Sequence, residues 1–258
     1  MNDYSFYIAG MTWSYSRLTT FEDCRYRFLL RYILREEKSD QKFFASYGTL
    51  IHRILAETAK QRIGRREALA LYLGEFADLP IDLVSPDVRK KYYEDGKDYL
   101  TRLEPPEEPI LSVEQKVKFR IGRYPFVGYI DLVTGTNKAY TIVDHKTRIL
   151  SSKRSKKATR SYDEFVRYAR QLYLYSIATE ALYGVPPQKI RFNCFRNGTS
   201  AEEPFIRDRQ QEAKRWAESL IEEIVDCRDW KPTLDWFRCR NLCDYFSSCE
   251  YAQTNFGN

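Results

Sequence analysis

The stretch that most constrains this chain is 126–148, Phe-Val-Gly-Tyr-Ile-Asp-Leu-Val-Thr-Gly-Thr-Asn-Lys-Ala-Tyr-Thr-Ile-Val-Asp-His-Lys-Thr-Arg. Two runs rich in β-branched and aromatic residues flank Gly-Thr-Asn-Lys, a pattern that predicts a β-hairpin. Into these apolar strands the sequence sets three charges, Asp131, Asp144 and Lys146. Side chains alternate along a strand, so Asp144 and Lys146 share a face with Ile142, while Val143 and His145 point the other way. A two-residue turn at Asn137-Lys138 places Asp131 directly opposite Asp144. Carboxylates that close repel unless a cation sits between them, and Mg²⁺ takes oxygen ligands of this kind while keeping several waters. A lysine on the same face can orient an attacking water or stabilise charge on a phosphate. The competing reading is a solvated hairpin face with a surface ion pair. The apolar flanks favour a site, because lone charges inside a core are costly.

A chain of 258 residues, 43% hydrophobic and 15% aromatic, fits one large globular domain or two small ones. No apolar run approaches the length of about 20 that spans a bilayer, and no basic-then-apolar leader opens the sequence. The expectation is a soluble, cytoplasmic protein with no membrane partner. Six cysteines in that compartment point to metal or cluster ligation before disulfides. The net charge of +6 is matched by one segment holding Arg148, Lys153, Arg154, Lys156, Lys157 and Arg160, with no acidic residue from His145 to Tyr162. A polyanion reaching the hairpin would meet this segment first; the alternative is a solvated basic loop.

Along the chain, Ser14 or Ser16 caps a predicted helix through Leu18, Phe21, Cys24, Phe28, Tyr32 and Leu34. A second helix is predicted over 45–63, with Gly48 and His52 near its start. Residues 67–103 read as helical material interrupted by Gly74, Leu79-Pro80 and Ser85-Pro86. A strand over 110–121 carries Glu114. After the hairpin come a helix over 163–183 with Gln171 and Tyr175, a strand over 189–196, a helix over 207–227 and a cysteine-rich tail. No internal repeat is present.

Together these residues resemble the RecB-like nucleases of the PD-(D/E)XK superfamily. The motifs follow the family's order: Ser14-Tyr-Ser-Arg-Leu-x-x-Phe-x-x-Cys24, Gly48-x-x-x-His52, Glu114, Gly128-Tyr129-Ile130-Asp131, Val143-Asp144-His145-Lys146-Thr147 and Gln171-x-x-x-Tyr175. The resemblance spans residues 14–250. It implies an α/β fold, a restriction-endonuclease-like core with a central mixed sheet flanked by helices, an N-terminal helical part over 14–105, a catalytic part over 110–197 and a C-terminal part over 207–258. All of these belong to one domain. It further implies that Asp131, Asp144 and the backbone carbonyl of His145 hold Mg²⁺ or Mn²⁺, with His52 as a further ligand. Lys146 would position the water, Glu114 would assist directly or through water, and Gln171 and Tyr175 would line the DNA path or support Lys146.

Cys239-x-x-x-Cys243-x-x-x-x-x-Cys249 supplies three soft ligands and needs a fourth, for zinc or a [4Fe–4S] cluster. Iron–sulfur relatives, including CRISPR-associated adaptation nucleases and AddB-type helicase–nucleases, use one early and three late cysteines. By that resemblance Cys24 completes a [4Fe–4S] site. The three residues between Cys239 and Cys243, where relatives have two, keep Zn²⁺ as the alternative. Cys194, in phase with Ile190 and Phe192, reads as a buried strand residue; Cys227 has no evident role. The function expected is hydrolysis of DNA by a metal-dependent nuclease, an exonuclease with endonuclease activity within its reach, in recombination, repair, phage replication or CRISPR adaptation. Its partners would be DNA with single-stranded ends and a helicase, recombination or adaptation protein. The alternatives are an inactive nuclease-like DNA-binding module and a zinc-stapled DNA-binding adaptor.

Overall fold

A computed structural model describes residues 4–81, 84–156 and 159–257. Five strands form one sheet in sequence order: β1 (Ile110–Ile121), β2 (Tyr124–Thr136), β3 (Ala139–Lys146), β4 (Lys189–Cys194) and β5 (Thr199–Pro204). Neighbours are antiparallel except β3 and β4, which run parallel. The helices are α1 (Ser5–Ala9), α2 (Tyr15–Asp23), α3 (Arg25–Phe28), α4 (Phe43–Ala59), α5 (Arg65–Phe76), α6 (Pro86–Thr101), α7 (Thr159–Tyr183), α8 (Arg207–Asp226), α9 (Trp236–Leu242) and α10 (Glu250–Phe256). A parallel pair needs a crossover, and α7 supplies it between β3 and β4.

The two-residue turn forms as the sequence predicts: Thr136 pairs with Ala139, leaving Asn137 and Lys138 as the loop. Gly135, with φ of +112°, is required there, because a Cβ would lie 2.3 Å from the carbonyl oxygen of Ala139. On one face of the sheet Ile142, Ile190 and Phe192 pack with Phe165 and Leu172 of α7 and Ile221 of α8 in the main core. A second core, built from Phe43, Tyr47, Tyr72 and Leu100, joins α4, α5 and α6 to Phe195 after β4. Helices on both faces of a mixed sheet match the predicted fold class. Among the described residues no helix is long and apolar enough to cross a membrane.

Three boundaries differ from expectation. The single helix predicted over 18–34 breaks at Cys24, whose backbone is extended (φ −165°, ψ 112°) and whose Sγ accepts the amide of Arg27 at 3.4 Å. A sulfur that caps α3 lies at a break, not on a continuous inward stripe. The chain then continues as a π-helical turn over Leu29–Leu34, ended by Arg35 at φ +57°. Gly74 does not interrupt α5, since an isolated glycine costs only about 1 kcal/mol in a helix whose packing supplies more. Strand β5 and helices α9 and α10 lie in stretches without a clear apolar period.

Candidate active site

Two carboxylates of the hairpin meet two different environments. The β2–β3 ladder runs to Leu132 opposite Val143, and Asp131 and Asp144 stand just beyond it. Asp144 points to the α7 side, where its Oδ2 is 2.7 Å from Lys146 Nζ. Apart from that lysine, the buried Oδ2 has no hydrogen-bonding partner among the described residues. Asp131 instead accepts the backbone amide of His145 at 2.7 Å and lies 3.3 Å from Nδ1 of His52 on α4. The strand alternation changes phase here. Ile130 and Val133, three apart, both belong to the main core, although unbroken alternation would separate them. Across the sheet, Glu114 adopts φ +52°, a left-handed conformation rare for a residue with a side chain, as strained backbone at functional sites often is. The alternation of side chains along β1 is therefore locally broken at Glu114.

His52, Glu114 and Asp131 each bring a ligand atom within 4.8 Å of the others, in an arrangement that suits a divalent cation. Asp144 stands outside this group in the present conformation, and His145 gives its backbone amide to Asp131 while its ring packs edge-on to that of His52, with centroids 5.8 Å apart. The His145 Nδ1 lies 2.9 Å from Asn193 Nδ2, the residue paired with it across β3 and β4. Burial lowers the His145 ring to about 4, so it is neutral. Burial raises the Asp144 carboxyl to about 6, and repulsion from Asp131 adds to this despite the attraction of Lys146. Asp131 is held down to about 2: burial opposes its charge, but His52 and the His145 amide outweigh it. Burial likewise opposes protonation of His52, yet Asp131 raises it above the ordinary imidazole value. Lys146 is also raised, because Asp144 overcomes its desolvation. Glu114 is raised by burial and by the charge of Asp131. Carboxyl groups pushed in opposite directions a few ångströms apart are a common mark of a functional site.

Helix α7 supports the lysine. Gln171 Oε1 accepts from Lys146 Nζ at 3.2 Å, and Gln171 Nε2 donates to the Tyr175 hydroxyl at 3.2 Å. Tyr175 is buried beneath Gly128, where an added Cβ would come within 2.2 Å of its ring. Tyr175 is thus joined to Lys146 through Gln171. Tyr168, one turn before Gln171, was not singled out by sequence; its ring centroid is 4.9 Å from Lys146 Nζ. The i, i+3 spacing back from Gln171 was the available signal. Asn193 was invisible, since nothing in sequence fixes the β3–β4 register. The group opens into a cavity of about 610 Å³ lined by Gly48, His52, Glu114, Lys146 and Thr147.

The basic segment is only partly free. Arg148 and Arg160 both face Glu164, at 2.9 and 3.5 Å, while Lys153, Arg154 and Lys156 are exposed. Lys157 lies outside the described residues. Far from the hairpin, Cys24 acts electrostatically on the thiols of Cys239, Cys243 and Cys249, which brings the early cysteine to the late three. Burial pushes all three thiols up, Cys243 to about 11. No three of the four thiols lie mutually within 4.8 Å. Cys194 is fully buried on β4, and Cys227 closes α8 with its thiol 3.3 Å from the Asp229 carbonyl.

A comparison with curated proteins finds no match. Among solved structures, a Eubacterium rectale protein described as a "putative exonuclease" is similar over 95% of this chain and 88% of its own, with a TM-score of 0.52 at 11% identity. At that identity the likeness speaks to the fold. The family model of the PD-(D/E)XK nuclease superfamily matches residues 12–251. With that match and the mixed sheet carrying a candidate acidic metal site, the chain belongs to the PD-(D/E)XK nuclease superfamily.

Proposed function

We propose that this protein is a Mg²⁺- or Mn²⁺-dependent DNA nuclease of the RecB-like branch, a single cytoplasmic domain that removes nucleotides from DNA ends. The observation that carries the reading is the meeting of His52, Glu114 and Asp131 beside the Asp144–Lys146 pair at one cavity. A divalent metal bound there would polarise the phosphate and lower the pKa of a water bound to it. Asp144, whose buried Oδ2 has no partner besides Lys146 among the described residues, would turn to join Asp131 and the His145 carbonyl as a ligand. Gln171 and Tyr168 hold Lys146 where its charge can face a phosphate oxygen. The exposed cations of the basic segment suit the backbone of the incoming strand.

The convergence of Cys24 with Cys239, Cys243 and Cys249 supports a structural [4Fe–4S] cluster. A single tetrahedral zinc with Zn–S bonds near 2.3 Å holds its sulfurs about 3.8 Å apart, closer than any three of these thiols stand to one another. End-labelled single- and double-stranded DNA, incubated with Mn²⁺, Mg²⁺ or chelator, tests the reading. Metal-dependent release of mononucleotides is expected; intact DNA in both metals would contradict it, and internal cuts alone would replace exonuclease with endonuclease. A helicase or recombination protein that supplies single-stranded ends would be the fitting partner.

A further inference from the structure

The active-site cavity continues beyond the metal-ligating group. It shares Phe44 and Thr147 with a second hollow of about 570 Å³ lined by three arginines, two of which face Glu164 while Arg196 is held by Asp95. Those arginines are Arg148, Arg160 and Arg196, and Phe237 of α9 closes the wall. A third hollow, about 630 Å³, begins one residue further along both walls: Tyr162 follows Ser161, and Arg238 follows Phe237. It sets five arginines, the exposed Arg154 among them, against three carboxylates.

Helix α7 divides the two ends of this path. Tyr168, Gln171 and Tyr175 turn toward Lys146 and the sheet, while Asp163, Arg167 and Arg170 line the outer hollow. The loop over 148–156 runs from Lys146 around the start of α7, and its Arg154 reaches the outer hollow. Between the two arginine groups, Phe237 is 50% exposed, with its ring 6.4 Å from that of Phe44 at a 42° tilt. An exposed aromatic ring on a surface helix, flanked by guanidinium groups in excess over carboxylates, is the chemistry that holds a single strand of nucleic acid: bases stack on rings and phosphates meet arginines.

We propose that the three hollows form one track for a single DNA strand, running from the metal site past Phe237, which stacks a base, to the arginines of the outer hollow. The track rests on the nuclease reading and adds to it the path of the strand. Helix α9 thereby gains a role of its own, since it presents Phe237 two residues before Cys239. Arg160, 89% exposed, and Arg154 would meet phosphates without first giving up a strong partner.

Fluorescence anisotropy with short and long labelled oligodeoxythymidylates in chelator tests the track. Phe237→Leu, which keeps apolar bulk but loses the π face, should weaken long-strand binding about tenfold, and Phe237→Tyr should restore it. Short strands that fill only the metal-site cavity should be affected less. Arg154→Gln should flatten the slope of log K against log salt by about 0.7. Long-strand affinity unchanged in Phe237→Leu, or an unchanged slope in Arg154→Gln, would overturn the track. Wild-type cleavage in Mn²⁺ is read alongside. Cleavage with no effect of these substitutions removes the track alone, whereas neither binding nor cleavage by the wild type removes the nuclease reading with it.

Discussion

Asp131 and Asp144 carry the same functional group, and their neighbours push it in opposite directions. Asp131 has a histidine and an amide to receive its charge, and is held to about 2. Asp144 is more deeply buried, faces Asp131, and rises to about 6. To serve as a ligand Asp144 must be ionised, and His52, itself raised by Asp131, must give up its proton. Metal binding therefore releases protons, and affinity rises with pH. Mn²⁺ titrations by calorimetry should show binding that weakens roughly tenfold per pH unit for each displaced proton, and so about a hundredfold per unit below about 6, where Asp144 and His52 are both protonated. Asp144→Asn should bind more weakly at neutral pH with a shallower dependence; the wild type's full slope retained in Asp144→Asn would remove Asp144 from the ligand set. The three hairpin charges were legible because charge inside an apolar strand is conspicuous. The divergence of the two carboxylates was not, because it depends on His52, 79 positions before Asp131 in sequence, and on a change of strand phase opposite Glu114 at φ +52°.

At the scale of elements, two interactions decide whether the site holds its shape. Gly128 lets Tyr175 pass under β2, and Tyr175 is the far end of the chain through Gln171 to Lys146. In Gly128→Ala the new methyl would meet a buried ring with no room to move. Overpacking of this kind costs about 1–3 kcal/mol. A lower melting temperature with a fall in turnover larger than the fall in DNA affinity is expected; unchanged turnover would mean that Tyr175 does not position Lys146. The second interaction joins the chain's ends. Arg27 of α3 and Lys38, the latter at 2.9 Å, both pair with Asp244, next to Cys243. The break at Cys24 thus sets a capping sulfur against the tail instead of extending a helix. Cys24→Ala should lose bound metal and several kcal/mol of stability, as ligation that closes a long loop requires, while Cys194→Ala should keep its metal. Metal analysis and thermal unfolding of anaerobically purified protein measure both. The bounds of β1 and the start of α8 fall where the sequence reading placed them, at Ile110, Ile121 and Arg207. The helical break was hidden, because Phe21, Cys24 and Phe28 keep a helical spacing on either side of it.

For the whole molecule, the sheet divides two cores, and the candidate metal group joins the middle of β1 and β2 to α4. The mixed topology was expected through the family resemblance alone; the strand order and the parallel β3–β4 pair, joined by the crossover helix α7, come from the structure. The surface was harder to read. The basic segment stood out as a run of like charge, but Arg148 and Arg160 share Glu164, and the further arginines come from α7, α8 and α9, distant in sequence. Replacing Lys153, Arg154 and Lys156 by alanine should lower affinity for every DNA sequence alike. It should also flatten the salt slope by about 0.7 to 0.9 for each phosphate that the variant no longer neutralises; an unchanged slope would show that the segment does not touch the backbone. The central claim, that Lys146 beside Asp131 and Asp144 performs phosphodiester hydrolysis, is tested most directly by single-turnover cleavage of end-labelled DNA in saturating Mn²⁺ by wild type and Lys146→Ala. With DNA affinity and folding retained, Lys146→Ala should cleave about 10² to 10³-fold more slowly; cleavage at the wild-type rate would contradict the account.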